Sequence, residues 1–154
     1  MRVIVLAVTL ALTVVSATAA QPQRSSAESK WIVFTGTPGA FGYEQIFRMK
    51  PSGQRLKQLT KGSLPSTSPA FSPNGKRIVF TRLGVGILTM NVNGTGVRRL
   101  TKFGRDSYPA WSPDGKQIAF IRPFATGWRI HVMTASGKKE RRLPKAPPAG
   151  RPSW

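Results

Sequence analysis

After position 20 the apolar residues show no sustained 3.6-residue period. They come in short runs rich in β-branched and aromatic side chains, cut by Gly, Pro, Asn and Asp. That pattern predicts strands and tight turns rather than helices. One stretch shows the local logic. Ala110-Trp111-Ser112 and Gln117-Ile118-Ala119-Phe120-Ile121 flank Ser112-Pro113-Asp114-Gly115. There proline presets φ for the first turn position, Asp tolerates the second, and glycine takes the left-handed position that reverses the chain. The next strand, Trp128 to Met133, turns at Ala135-Ser136-Gly137 and returns through Glu140-Arg141-Arg142-Leu143. Four strands in series form an antiparallel meander.

The meander repeats. Pro69-Ala70-Phe71-Ser72-Pro73-Asn74-Gly75-Lys76-Arg77-Ile78-Val79-Phe80 recurs 40 residues later as Pro109-Ala110-Trp111-Ser112-Pro113-Asp114-Gly115-Lys116-Gln117-Ile118-Ala119-Phe120. An Ile-x-x-Met-x-x-x-Gly unit recurs at Ile46/Met49/Gly53, Ile87/Met90/Gly94 and Ile130/Met133/Gly137, with spacings of 41 and 43. Gln58-Leu59-Thr60, Arg99-Leu100-Thr101 and Arg142-Leu143-Pro144 close the three units. A period of about 40 to 45 residues is the size of one four-stranded propeller blade. The expected fold is all-β, with about three blades of a larger propeller. The units run over about 30–68, 69–108 and 109–151, and a fourth begins at 152–154.

The run P-x-W-S-P-D-G-K-x-I-A-F, followed by I-x-V-M-x-x-x-G and R-R-L, resembles the TolB-type β-propeller repeat, a relative of the WD-type blade. Pro109 to Phe120, Ile130 to Gly137 and Arg141 to Leu143 carry it, with a close copy from Pro69 to Leu100. Asn74 stands for Asp, Phe71 stands for Trp, and no W-S-P-D-G precedes the first unit. The resemblance implies an exported propeller serving as a protein-interaction platform, since TolB-like propellers partner lipoproteins and porins of the cell envelope. Related blades also cover the catalytic domain of prolyl oligopeptidase-type serine peptidases, which is the rival expectation. No family catalytic residue exists in the propeller to carry over.

Met1-Arg2, the apolar run Val3 to Val15 and the small residues Ser16 to Ala20 have the layout of a secretory signal peptide. Residues 1–19 are expected to be cleaved near Ala19 or Ala20, 20–29 to be a flexible lead-in, and 30–154 to be the repeats. The apolar run is shorter than the roughly 20 residues a membrane-spanning helix needs, so no permanent transmembrane anchor is expected. Lys30 to Phe34 aligns with Lys116 to Phe120, so the first unit lacks its innermost strand, while Pro152-Ser153-Trp154 aligns with Pro109-Ala110-Trp111. Three blades fall short of the 4 to 8 that usually close a ring. The expectation is either a piece of a longer propeller or closure by self-association.

Composition then narrows the chemistry. The 154 residues hold 24 Lys+Arg against 5 Asp+Glu, a net charge of +19, with Cys 0 and His 1. Disulfides, thiolate zinc sites, cysteine nucleophiles and two-histidine sites are excluded. The G-x-S-x-G, H-E-x-x-H and G-x-x-x-x-G-K-[ST] patterns are absent. His131 occupies the slot of Phe47 and Leu88 and reads as a strand residue; Asp114 does the same turn work as Asn74. No enzyme activity, cofactor or metal is expected. The repeat motif itself (Pro69, Phe71, Ser72, Pro73, Asn74, Gly75; Pro109, Trp111, Ser112, Pro113, Asp114, Gly115; Met49, Met90, Met133) is structural. Tyr43, Tyr108 and Trp128 are less fixed by the repeat and are the candidates for a rim or interaction surface. Lys57, Lys76, Lys102, Lys116, Lys145, Arg98-Arg99 and Arg141-Arg142 recur with the repeat. They read either as a solvated face multiplied by duplication or as a module for anionic envelope polymers. The expected partner is a protein or cell-envelope component; nucleic acid is not expected for an exported chain.

Overall fold

The computed structural model describes residues 31–39, 42–144 and 150–154. The segment read as a signal peptide and lead-in, and Lys145, lie outside the described residues. Within them the chain forms three antiparallel sheets and no helix. The first sheet has three strands, β1 (Ile32–Gly36), β2 (Gln45–Met49) and β3 (Lys57–Gln58). The second has four, β4 (Ser66–Phe71), β5 (Arg77–Arg82), β6 (Gly86–Asn91) and β7 (Arg98–Arg99). The third has four, β8 (Ser107–Trp111), β9 (Gln117–Phe124), β10 (Gly127–Thr134) and β11 (Arg141–Arg142). Each sheet is an up-and-down meander in chain order, as the repeat predicts. The innermost strands β4 and β8 begin at Ser66 and Ser107, a few residues ahead of the repeat landmarks Pro69 and Pro109. Residues 152–154 form no strand, but the Trp154 indole N–H donates to the Ala110 carbonyl at 3.1 Å, beside β8.

The register is the same in all three sheets: Ile32 pairs with Met49, Ile78 with Met90, and Ile118 with Met133. One residue up, side chains turn to the opposite face. Every second strand is therefore apolar on both faces, as Ile78-Val79-Phe80 and Ile118-Ala119-Phe120 show. Ile78, Phe80, Leu88 and Met90 pack with Ile46, Val33 and Leu59 of the first sheet. Val79, Ile87 and Leu100 pack with Ile118, Phe120, Met133 and Trp111 of the third. The core thus consists of two inter-sheet layers, and the second sheet lies between them.

The Ser-Pro-Asn/Asp-Gly turn is built identically twice. The Ser72 hydroxyl donates to Asn74 Oδ1 at 2.8 Å and accepts the Arg77 N–H at 3.0 Å. Ser112 makes the same bonds to Asp114 and Gln117, at 2.6 and 2.9 Å. Gly75 and Gly115 close the turns at φ of 66° and 68°. The Ser112 hydroxyl, with the Lys116 N–H, holds the Asp114 carboxyl below its ordinary range. The serines are buried and the prolines exposed. A second repeated device joins strands three and four: the buried Thr60 and Thr101 hydroxyls accept the Ile46 and Ile87 N–H at 2.9 and 3.1 Å. Pro144 takes the corresponding place in the third unit and has no hydroxyl to offer.

The recurring basic residues also have structural work. Lys57 Nζ donates to the Asn93 carbonyl and Arg98 Nη1 to the Ser136 carbonyl, both at 3.3 Å, so each reaches the next sheet's outer hairpin. One position on, Gln58 and Arg99 donate to the carbonyls of Thr60 and Thr101, at 2.8 and 2.6 Å. Their recurrence therefore has a geometric cause besides surface charge.

Burial makes a direct comparison available at equivalent positions. Ile78→Val should cost about 0.5–1.5 kcal/mol, because Ile78 is 0% exposed. In a single copy Ile32→Val should change stability by no more than about 0.5 kcal/mol, because Ile32 is 41% exposed there. Urea-unfolding midpoints of the two variants give the comparison.

Candidate binding cleft on the inner-strand face

The strand order brings the entry ends of β4 and β8 together with the β9–β10 hairpin. Between them opens a cleft of about 710 Å³. Its construction begins with two matched irregularities. Each innermost strand slips register, between Thr67 and Ala70 and between Ser107 and Ala110. A proline, Pro69 or Pro109, lies inside each slip, as expected for a residue that cannot donate to the ladder. Ser68 and Tyr108, the residues before those prolines, both sit at φ of 52°, a left-handed conformation that costs a non-glycine residue roughly 1 kcal/mol or more. The Tyr108 N–H is not lost, because it donates across the joint to Thr81 Oγ1 at 3.2 Å.

Tyr108 and Trp128, two of the three aromatic candidates, line this cleft with Thr35, Thr67, Arg105 and Arg151. Trp128 is 43% exposed on the β9–β10 hairpin, whose strands run two residues longer than their counterparts β5 and β6. The Arg151 guanidinium stacks on the Tyr108 ring at 4.5 Å from its centroid. Tyr43 is exposed but does not line the cleft; its neighbour Glu44 does. Among the described residues, neither Arg105 nor Arg151 has a carboxylate within ion-pair distance. Asp106 also lines the cleft, but its charge is spent. The free charge of the cleft is thus two guanidiniums against Glu44. Such a surface can stack a planar or apolar group and hold a carboxylate or phosphate bidentately. It contains no imidazole.

Behind the cleft lies a buttress that strand-by-strand reading of the sequence leaves as scattered acids. Asp106 is fully buried and accepts two bonds from Arg122, at 2.6 Å from Nε and 2.7 Å from Nη2. The same guanidinium donates to Glu140 at 2.5 and 3.2 Å. Glu140 then accepts from His131 Nδ1 at 3.1 Å. Asp106 above all, then Glu140, raises the Arg122 pKa, so it stays charged. The repeat carried a signal for this pair: Arg82 and Ser66 occupy the same places in the second sheet, joined at 3.1 Å.

His131 is buried against Phe120 and Phe124, with ring centroids 5.5 and 6.0 Å away. Its Nε2 is buried without a hydrogen-bond partner. Burial, seconded by the Arg122 charge, lowers its pKa below the ordinary 6.5 against the opposing pull of Glu140. The ring is therefore neutral at pH 7, with its proton on Nδ1, and it fills an aromatic slot.

The sign of the linkage follows. A histidine whose folded pKa is depressed takes up its proton more readily when unfolded, so stability is lost as pH falls below about 6.5. His131→Phe should keep the packing and flatten that decline. Thermal midpoints at pH 7.5 and 5.5 should differ less in the variant than in the parent chain. Asp106→Ala should cost about 1.5–3 kcal/mol, because Arg122 loses its buried partner and keeps only the more exposed Glu140. Asp106→Ser, which copies Ser66, should recover part of that loss in the same unfolding measurement.

Sequence and structure comparisons agree with this architecture. Residues 8–154 match the TolB beta propeller domain. A structure assigned to TolB of Agrobacterium tumefaciens superposes with a TM-score of 0.64 at 23% identity, covering 73% of this chain and 44% of that one. TolB of Acinetobacter baumannii superposes at 0.65 and 21% identity, covering 76% and 31%. The acylaminoacyl peptidase of Pyrococcus horikoshii superposes at 0.58 and 12% identity, covering 77% and 24%. At those identities the structural likeness concerns the fold alone, and this chain spans less than half the length of each of the three. No curated protein matches the chain. With three register-matched sheets and a domain match over nearly its whole length, the chain belongs to the TolB β-propeller family.

Proposed function

We propose that this chain is an exported, non-enzymatic scaffold that binds a protein or other cell-envelope component through the cleft on its inner-strand face. The observation that carries the reading is the grouping of Trp128, Tyr108, Arg105 and Arg151 in one concave surface, with the two aromatics on strands of the packed third sheet. Aromatic and arginine side chains are the types that dominate binding energy at protein interfaces. Export rests on the signal-like residues 1–20 and on the family's TolB members. The non-enzymatic reading is supported by what the polar side chains already do. His131 serves Glu140, Ser72 and Ser112 serve their turns, and Asp106 serves Arg122. No group of three or more metal-binding side chains exists among the described residues. No helix among them is long and apolar enough to cross a membrane.

The alternative of a module for anionic envelope polymers rests on the net charge of +19. The fold weakens it in part, because Lys57, Arg98 and Arg99 are engaged with backbone carbonyls. The test separates the two. Immobilised chain is exposed to a solubilised envelope fraction, and retained proteins are identified and their affinities measured. Trp128→Ala with Arg105→Ala should weaken the specific partner by about 10- to 100-fold. Retention that salt abolishes and that the double variant leaves unchanged would sink the cleft reading in favour of surface charge.

A further inference from the structure

Each joint between sheets in this chain is assembled from the same parts. The leaving face offers an isoleucine of the third strand, a leucine after the fourth and a base on the fourth: Ile46, Leu59 and Lys57, then Ile87, Leu100 and Arg98. The arriving face offers isoleucine, phenylalanine and methionine, and an outer hairpin whose glycine rests on that leucine. A Cβ added at Gly94 would meet the Leu59 carbonyl at 3.3 Å, and one added at Gly137 would meet that of Leu100 at 2.9 Å. The hairpin carbonyl before each glycine, Asn93 or Ser136, takes the base at 3.3 Å.

Among the described residues, both halves of this joint recur without a mate. On the third sheet Ile130 is half-buried, whereas its counterparts Ile46 and Ile87 are 0% exposed. Arg141, in the place of Lys57 and Arg98, is exposed and has no partner among the described residues. On the first sheet Ile32 is 41% exposed, against 0% for Ile78 and Ile118. Phe34 and Met49 are half-buried, against 0% for Phe80, Phe120 and Met90. Gly53, unlike Gly94 and Gly137, has nothing within 4 Å of its would-be Cβ. The leaving half and the arriving half are thus both present on one chain, and no strand of its first sheet packs on a strand of its third.

We propose that the free face of the third sheet docks onto the free face of the first sheet of a second copy, head to tail, so that two copies close one six-bladed ring. The two joints already in the chain are the template. Ile130 and Leu143 are to be covered by the partner copy's Ile32, Phe34 and Met49, with Arg141 donating to the carbonyl of its Ser52 and its Gly53 resting on Leu143. Residues 152–154 lie beside β8 and repeat its Pro-x-Trp pattern. That position lets them add an innermost strand to β1 of the other copy, as β4 and β8 do in their own sheets. A head-to-tail contact closes when its rotation divides the circle, and six sheets lie within the range of closed propellers. The assembly does not rest on the cleft's occupant, and it meets the cleft at Thr35 of β1 and at Arg151.

Light scattering on the purified chain, with circular dichroism as the check on folding, gives the test. The parent chain should run at twice the chain mass. Ile32→Arg on one face and Leu143→Arg on the other should each weaken association by about tenfold or more while keeping the strand signal. Each variant keeps one sound face, so mixing the two should restore dimers that neither forms alone. A parent chain that stays monomeric at every soluble concentration overturns the proposal. So do dimers indifferent to both substitutions, open filaments in place of dimers, or a mixture that stays monomeric.

Discussion

A sheet that is apolar on both faces must be covered on both faces, and the rest of this structure follows from that constraint. In β5 and β9 successive residues turn opposite ways, and Ile78, Val79 and Phe80 are all 0% exposed. Only sheets standing side by side, each face against a neighbour, meet the requirement in a chain of repeated meanders. The cost of leaving such a face bare is considerable. At about 25 cal/mol per Å² of apolar surface, one large aliphatic or aromatic side chain is worth roughly 1.5–3 kcal/mol on burial. The chain holds no disulfide that could substitute for that contribution. Stability in this molecule is therefore a property of joints between sheets, and each sheet alone is a meander without a core.

The same constraint gives the positive charge a second meaning. A composition of 24 basic against 5 acidic residues suggests a polyanion-binding surface when read as a total. Read by position, much of the recurrence belongs to the outer strands. There a long basic side chain spans the gap to the next hairpin and donates to a carbonyl that strand pairing leaves free. Lysine and arginine suit this work because their stems lie along apolar surface while the head reaches a polar group. The charge itself is not neutralised by these bonds, so adsorption to anions persists as a physical property without being the reason for the sequence.

The repeat made the meander and the turn positions legible from the sequence alone. Ile78/Met90 and Ile118/Met133 are found paired, and Ser112–Asp114 is found bonded, because local spacing and turn preferences decide both. The exposed Trp128 was also legible, since the repeat spacing rises from 40 to 43 across the β9–β10 hairpin that carries it. What escaped was long-range and polar. Asp106, Arg122 and Glu140 are 16 and 18 residues apart in pairs, in a strand and two connections. No periodicity links them; only the placement of Arg122 on an inner-layer position does. The cleft cations Arg105 and Arg151 were missed for the same reason, as neither belongs to a repeated position.

That contrast offers a way to separate scaffold from function inside a single chain. Where units agree in side-chain chemistry and geometry, the cause is the scaffold: Ser72 and Ser112 in the turn, Thr60 and Thr101 within the sheet, Lys57 and Arg98 at the joint. Where they agree in geometry but differ in residue, the scaffold has been kept and the side chain released for other use. Ser68 and Tyr108 share a φ of 52° and a register slip, yet one is a small hydroxyl and the other an aromatic ring under Arg151. Ser66 and Asp106 share full burial and an arginine partner, yet only the second brings a charge that locks Arg122 against Glu140. Both departures fall at or just before the start of β8 and both residues line the cleft, Tyr108 under Arg151 and Asp106 buried against Arg122. A strained backbone position held by packing, with its side chain free to vary, is the arrangement expected of a binding surface on a fixed scaffold.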